Sequence, residues 1–140
     1  MKKQYLTLAI WFLSLFVFCV SNAFSSEKLS MVKIIEPHNG SVLPSPVKVC
    51  MDVLGVEVEP AKSGVNEGKG HHHLLIDAHL PSDLSQPVGK DAQHVHMGDG
   101  STCKSLELGS SLHVIRTLFA RGNHVPYDPP LSDAIWITVK

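Results

Sequence analysis

The chain has 140 residues and a formal net charge of −1, and nine of its residues are histidines. This length is enough for one domain with a single hydrophobic core and is short for two. Basic and acidic residues are scattered in nearly equal numbers, so no basic patch predicts a nucleic-acid partner and no basic amphipathic stripe predicts binding to a membrane surface.

The N-terminus has the layout of a secretory signal. Lys2 and Lys3 form a short positive region, residues 6–20 are apolar or small and carry no charge, and small residues of Ser21-Asn22-Ala23 stand where a signal peptidase reads. The apolar run of about 15 residues is shorter than the ~20 residues of a membrane-spanning helix. We therefore predict a signal peptide over residues 1–23 and a periplasmic or secreted mature protein without a stable membrane span.

Two other interpretations of the N-terminus remain open at this stage. One is an anchor that is never cleaved. The other is a lipoprotein acylated at Cys19, which is disfavoured because the bulky Phe18 precedes that cysteine. After cleavage, a short polar leader over residues 24–30 precedes a single domain over residues 31–140.

Short runs with β-strand character follow the leader. Val47, Val49 and Met51 alternate with polar neighbours, as expected for a strand with one buried face, and no window has a sustained helical period. The predicted strands cover residues 32–35, 46–53, 71–77, 93–97, 104–108, 112–120 and 134–139, and residues 55–58 continue the second of these past a bend. About seven short strands separated by Gly- and Pro-rich turns predict an all-β fold, an immunoglobulin-like β-sandwich. An eight-stranded barrel is the competing architecture.

Two cysteines remain after the signal, Cys50 and Cys103. Export to an oxidising compartment permits a disulfide between them, which would close a loop of about 50 residues. The alternative is two separate buried thiols, and the spacing alone does not decide between them.

The histidines form groups that suit metal binding. Successive side chains of a strand point to opposite faces, so His71 and His73 share one face, and His94 and His96 do the same. Two such pairs on neighbouring strands would offer four imidazole nitrogens to one ion, and imidazole suits zinc and copper. The predicted metal ligands are His71, His73, His94 and His96, followed by His124 in a loop that prolines restrict.

Other polar residues have predicted roles around this site. Asp77 or Asp128 would orient a ligating imidazole from outside the coordination sphere. His72 is predicted to face the core. His113, at the start of the longest strand, is predicted to hydrogen-bond back to the chain, as a tyrosine does at the corner of sandwich domains. The metal-free alternative is that the histidines hydrogen-bond loop carbonyls and brace the fold.

Three blocks of the sequence carry a resemblance to a known family. They are GHHHLLID at residues 70–77, QHVHMGDG at residues 93–100 and NHVPYDPP at residues 123–130. Together they resemble the signature blocks of a bacterial family of small exported proteins, domain of unknown function DUF4399, over residues 32–140. The resemblance implies a domain type and a shared site but no activity. The family usually has histidine where this chain has Tyr127, and its pattern does not include Cys50 and Cys103.

A second likeness is local. His94-Val95-His96, followed by Gly98-Asp99 and Thr102-Cys103, is similar to the copper-ligand stretch of copper–zinc superoxide dismutase, which is also a β-sandwich. The long zinc loop of that enzyme is not found after this stretch. No G-x-S-x-G, P-loop, H-E-x-x-H or C-x-x-C motif occurs either, so the sequence favours a non-enzyme.

Three hypotheses follow for the function. The first is a periplasmic, non-catalytic module whose histidines bind copper or zinc. The second is a structural or interaction domain of the cell envelope, with hydrogen-bonding histidines and a partner protein. The third is a dismutase-like copper enzyme.

Overall fold

The computed structural model describes residues 29–140, so the predicted signal peptide lies outside it. The described residues form nine strands and one turn of 3₁₀ helix, Ala61–Ser63. The strands are β1 (Met31–Glu36), β2 (Val42–Leu43), β3 (Val47–Leu54), β4 (Glu57–Val58), β5 (Lys69–Ile76), β6 (His94–His96), β7 (Cys103–Leu106), β8 (Leu112–Ala120) and β9 (Ser132–Val139). Within residues 29–140, no helix is long and apolar enough to cross a membrane.

The strands are divided between two sheets that pack face to face. The smaller sheet has the order β1-β3-β7, and the larger has the order β2-β9-β8-β5-β4, with β6 also paired to β5. The prediction of an all-β sandwich is therefore confirmed, with nine strands rather than about seven. The two additional strands have two residues each: β2 is too short to show an alternating pattern, and β4 lies in the segment that was predicted to extend the second strand past a bend.

The core lies between the two sheets and is built by alternation along each strand. In β9, for example, Ile135, Ile137 and Val139 are buried while Trp136 is exposed. The residues that pack into this core are Ile34, Val47, Val49, Met51, Leu74, Ile76, Met97, Leu106, Ile115, Ile135, Ile137 and Val139. Burying each large aliphatic side chain stabilises the fold by roughly 1.5–3 kcal/mol.

The central strand β5 is covered on its outer face as well. Leu75 and the neighbouring Leu118 of β8 pack against Val88, which belongs to the long loop between β5 and β6. The backbone N–H of Val88 donates to the carbonyl of His124 at 2.9 Å, which ties this loop to the one between β8 and β9. Residues 70–76 are consequently all buried, and the sandwich has a partial third layer over β5.

The disulfide between Cys50 and Cys103 joins two strands of the smaller sheet. The two cysteines stand directly opposite each other in the antiparallel pairing of β3 with β7, and the sulfurs are bonded. The bridge closes a loop of 53 residues and fixes the edge strand β7 to the sheet. It lies on the layer that does not contain β5.

Replacing Cys50 and Cys103 together by alanine should lower the free energy of unfolding by about 4 kcal/mol, because the unfolded chain regains the entropy of a 53-residue loop. Urea denaturation measures the change. The reduced wild-type protein should match the variant, and reductant should not affect the variant itself. Equal midpoints for oxidised wild type and variant would contradict this account of the bridge.

Candidate metal centre

Four imidazoles meet on the outer face of the larger sheet. His71 and His73 point outward from β5, and His96 of β6 stands directly opposite His73 in the antiparallel pairing. His124 reaches the same point from the loop after β8, where it adopts a left-handed backbone conformation with φ of 67°. We call these four residues the histidine cluster. Each offers one ring nitrogen, and these four atoms all lie within 4.8 Å of one another.

The closest nitrogens are at the separation that a bound ion requires. Nε2 of His71 lies 3.1 Å from Nε2 of His73 and 3.2 Å from Nδ1 of His124. The ring centroid of His96 lies 5.0 Å from that of His71 and 4.7 Å from that of His124. Two nitrogens bound at ~2.0–2.1 Å to one tetrahedral ion are about 3.3–3.4 Å apart. The two closest nitrogen separations therefore nearly match those around a bound ion.

Hydrogen bonds within the cluster do not satisfy its ring nitrogens. A neutral imidazole has one N–H and one lone pair, yet Nε2 of His71 faces two other nitrogens at once. Among the described residues, Nδ1 of His71, Nδ1 of His73 and Nε2 of His96 are buried without a hydrogen-bond partner. A buried polar atom left unpaired costs about 1–3 kcal/mol. An ion bound between the facing nitrogens would relieve the conflict at Nε2 of His71, whereas Nδ1 of His71 and of His73 lie on the far side of their rings and stay unpaired with or without an ion.

Burial keeps the imidazoles of β5 neutral. Desolvation is the largest cause that lowers the pKa of His71 to about 4 and the pKa of His73 to about 3, and the neighbouring rings of the cluster add to it. Burial also lowers the pKa of His96, with further contributions from His124 and from the nearby positive charge of Lys90. Neutral imidazole is the form that binds a metal ion.

A glycine makes room for the ring of His96. A Cβ atom at Gly98 would overlap with Cε1 and Nε2 of that ring, and no backbone atom is among its nearest contacts. The pairing of β5 with β6, continued beyond His96, brings Gly98 opposite His71. The missing side chain thus lets the ring of His96 lean toward His71. The sequence analysis did not identify this role.

The cluster adjoins an open cleft. Its volume is about 220 Å³, and its lining consists of His73, Val88, Gly89, Lys90, His96 and His124. His71 is 0% exposed and His73 is 1% exposed, so the cleft gives the most direct approach from solvent to the buried nitrogens.

Comparison with known proteins assigns the chain to a family. Residues 49–140 match the family described as Domain of unknown function (DUF4399). The chain belongs to the DUF4399 family. No curated protein and no solved structure matches it. The matched segment contains all four residues of the histidine cluster, and β1 and β2 lie before it.

The DUF4399 domain brings His96 but not His94 into the cluster, so only one histidine of the second H-x-H pair lies there. His94 stands opposite Leu75, two residues along β5 from the partner of His96. Its Nδ1 lies 2.8 Å from a carboxylate oxygen of Asp91. His124 takes the place in the cluster that the sequence pattern gave to His94.

The two aspartates expected to orient a ligating imidazole are not bonded to the cluster. Asp77 accepts hydrogen bonds from His113 and from the backbone N–H of Val114, both at 2.8 Å. Asp128 is exposed, and no hydrogen bond of the described residues joins it to a ring of the cluster. Asp77 orients a different histidine, His113.

His72 lies on the core face of β5, as its position in the strand predicts. It is completely buried, with Nδ1 3.2 Å from Oγ1 of Thr117 and its ring centroid 5.1 Å from that of Phe119. Desolvation lowers the pKa of His72 to about 4, although the charge of Asp52 acts in the opposite direction. It has no part in the cluster.

His113 bonds back to the chain through both ring nitrogens. Nε2 lies 2.8 Å from the carbonyl oxygen of Gly109, and Nδ1 lies 2.8 Å from the carboxylate of Asp77. Both partners accept, so the doubly protonated ring fits this site best, and these two interactions raise the pKa of His113 above its usual value. Partial burial works to raise the pKa of Asp77, but the hydrogen bonds from His113 and Val114 outweigh it and leave the pKa lowered.

Replacing His113 by glutamine should reduce the free energy of unfolding by about 1 kcal/mol near pH 5–6. Because the folded state raises the pKa of His113, its contribution is complete below the unfolded value of ~6.5 and disappears as the pH rises through the folded value. The stability difference between wild type and variant should therefore shrink from pH 6 to pH 9 in urea titrations. Keeping the pH above about 5 avoids protonation of Asp77, whose pKa is lowered. The exposed His79, replaced by glutamine, serves as control, and a difference that grows with pH would contradict the assignment.

Replacing Gly98 by alanine should displace the ring of His96 and leave the fold intact, because only ring atoms stand in the way of the new methyl group. In NMR spectra, the imidazole signals of His96 should shift while those of the core residue His72 stay in place. Gly109→Ala is the matched control, since nothing lies within 4 Å of a Cβ at that position. Unchanged His96 signals in the Gly98 variant would show that the ring has no need of this space.

Proposed function

We propose that this DUF4399 protein is a non-catalytic, metal-binding module of the periplasm, which takes up copper or zinc through His71, His73, His96 and His124. The observation that carries the proposal is the convergence of four imidazole nitrogens within 4.8 Å of one another. Three separate segments supply these side chains, so local sequence composition alone does not account for their meeting.

The type of donor supports a transition-metal ion. All four donors are imidazoles, which suit zinc and copper, whereas magnesium and calcium prefer oxygen ligands. The two cysteines of the described residues are joined in a disulfide, so they offer no thiolate. The predicted signal peptide supports a location outside the cytoplasm, where such a module would meet ions entering the cell envelope.

The framework around the site supports binding to an already folded protein. His71, His73 and His96 stand on paired strands, and the main core and the disulfide lie apart from the cluster. A small domain that needs zinc to fold has no comparable core of its own. The ion is therefore cargo of a stable scaffold, and removing it leaves the sandwich folded.

An interaction domain is the second candidate, and one surface favours it. On the outer face of β8 and β9, Leu112 and Trp136 are 63% and 56% exposed, and Val42 of β2 is 51% exposed beside them. Exposed apolar side chains grouped in this way are typical of a surface for a protein partner. The two candidates differ in one respect: an interaction domain needs no metal for stability or for binding its partner.

The geometry does not favour the dismutase-like hypothesis. The local likeness to a copper enzyme rests on His94 and His96 acting together as ligands. Of these two histidines, only His96 belongs to the cluster of the described residues, while Nδ1 of His94 lies against the carboxylate of Asp91.

Mature protein purified without a tag should bind one copper or zinc ion per chain, and replacing His96 by alanine should abolish that stoichiometry. Replacing His94 by alanine should leave it intact, because His94 lies outside the cluster. Metal analysis after dialysis against a weak chelator measures the bound ion. The single replacements of the exposed His38 and His79 control for adventitious binding.

The same samples separate the two candidates by their melting temperatures. An ion present at 100 times its dissociation constant stabilises the folded state by about 2.7 kcal/mol, so the melting temperature should rise by several degrees in wild type and not in the His96 variant. Stoichiometric binding that survives the combined replacement of His71 and His73 would falsify the assignment of the ion to the histidine cluster. No change in melting temperature with either ion, together with no binding, would favour the interaction domain.

A further inference from the structure

Resting on the proposed function, we propose that the histidine cluster is a closed tetrahedral site selective for zinc, with all four positions of the ion taken by protein. The argument concerns the shape of the cluster, its rigidity and the number of its ligands.

The six distances between the four rings describe a tetrahedron. The centroid separations are 4.7, 4.9, 5.0, 5.0, 5.1 and 5.8 Å, and the longest is that between His73 and His124. Four points at equal mutual distances form a tetrahedron, whereas a square plane has two diagonals that are about 1.4 times its sides. Here a single separation stands out, and it is about 1.2 times the shortest.

The nitrogen positions agree with this shape. The separation of 3.2 Å between Nε2 of His71 and Nδ1 of His124 lies nearer to the ~3.3–3.4 Å of a tetrahedral ion than to the ~2.9 Å between neighbouring ligands of a square plane. The separation of 3.1 Å between Nε2 of His71 and Nε2 of His73 lies about midway, so the shape rests mainly on the six ring separations. All four donor atoms lie within 4.8 Å of one another, so the wider pairs close up when the tetrahedron is completed around an ion. A square plane would require all four donor nitrogens to move into one plane with the ion, with two pairs directly across from each other.

The framework resists such a movement. His71 and His73 are buried on the central strand β5, and His96 is held opposite His73 by the β5–β6 pairing. The loop of His124 is fixed by its own hydrogen bonds, from the N–H of His124 to the carbonyl of Arg121 at 2.8 Å and from the N–H of Val88 to the carbonyl of His124 at 2.9 Å. Zn²⁺ has no geometric preference of its own and accepts the tetrahedron, whereas Cu²⁺ favours tetragonal coordination.

The number of ligands defines what the site can do. Catalytic zinc sites have three protein ligands and keep the fourth position for water or substrate, while closed sites have four protein ligands. Four imidazoles fill the tetrahedron and leave no position for a reacting molecule. The cluster is therefore built to hold an ion, which agrees with a non-catalytic module.

Co²⁺ is the probe for this geometry, because a tetrahedral cobalt site absorbs visible light far more strongly than a six-coordinate one. The folded mature chain titrated with Co²⁺ should give the intense tetrahedral bands at one equivalent, and one equivalent of Zn²⁺ should remove them. The Cu²⁺ form should give an electron paramagnetic resonance spectrum with a parallel hyperfine splitting smaller than that of tetragonal four-imidazole complexes.

Variants at His124 test the fourth ligand. His124→Ala should weaken Zn²⁺ binding by at least ~10-fold and change the cobalt bands, as a solvent ligand replaces the imidazole. His124→Gln, which keeps a polar side chain in the loop, should give the same spectral change, and His94→Ala should behave as wild type. Near-ultraviolet circular dichroism shows whether each variant is folded.

The outcomes for the geometry and for the proposed function are distinct. A pale six-coordinate cobalt spectrum, a tetragonal copper spectrum or unchanged bands in both folded His124 variants would overturn the closed zinc site while metal binding stands. A wild-type chain that binds none of the three ions would overturn both.

Discussion

Strand β5 is buried on both faces, and the histidine cluster depends on that burial. Alternation along a strand sends His72 toward the core and His71 and His73 outward, where most sheet residues would meet water. Here a third layer covers the outer face, so two outward imidazoles are as buried as a core leucine. Because burial removes solvent from these rings, it lowers their pKa values and keeps them in the neutral form, which has a free lone pair for a metal ion.

The cover over β5 is itself anchored by residues outside the cluster. Asp77 ends β5 in a left-handed conformation with φ of 54°, and its carboxylate joins the chain to β8 through His113 and Val114. Arg116 of β8 donates to the carbonyl of Ala78 at 2.7 Å and fixes the first residues of the covering loop. Further along, Val88 of that loop packs on β5 and bonds to the loop of His124. A histidine with a structural role thus stabilises the layer that encloses the others.

Much of the fold follows from patterns that the sequence displays. Strand β8 has the predicted bounds, and the predictions for β1, β3, β5 and β9 differ by two residues or fewer at each end because apolar alternation marks their cores. The division into faces was also predictable, since His72 and the H-x-H pair of β5 follow strict alternation. Strand β2 was missed because two residues carry no periodic signal.

The composition of the site was only partly predictable, because it depends on register. The spacing of His94 and His96 correctly gives two rings on one face, but four histidines meet only if the antiparallel pairing sets His71 opposite His96. The observed pairing sets His73 there and leaves His94 beside Leu75. A one-dimensional pattern contains no information about this offset of two residues. The role of Gly98 was hidden for a different reason, because the spacing of His96 and Gly98 does not show that the ring lies over the glycine.

The chemistry of the two layers explains why the donors are all imidazoles. The two cysteines of the smaller sheet form a cross-link, so the described residues offer no thiolate to an ion. The remaining donors at the cluster are neutral, so a bound Zn²⁺ keeps its full charge, in contrast to an ion neutralised by thiolates. Burying a charge costs less free energy where water can approach it. The cleft lined by His73, His96 and His124 opens the site to water. The disulfide, on the other sheet, maintains the scaffold whether or not an ion is bound.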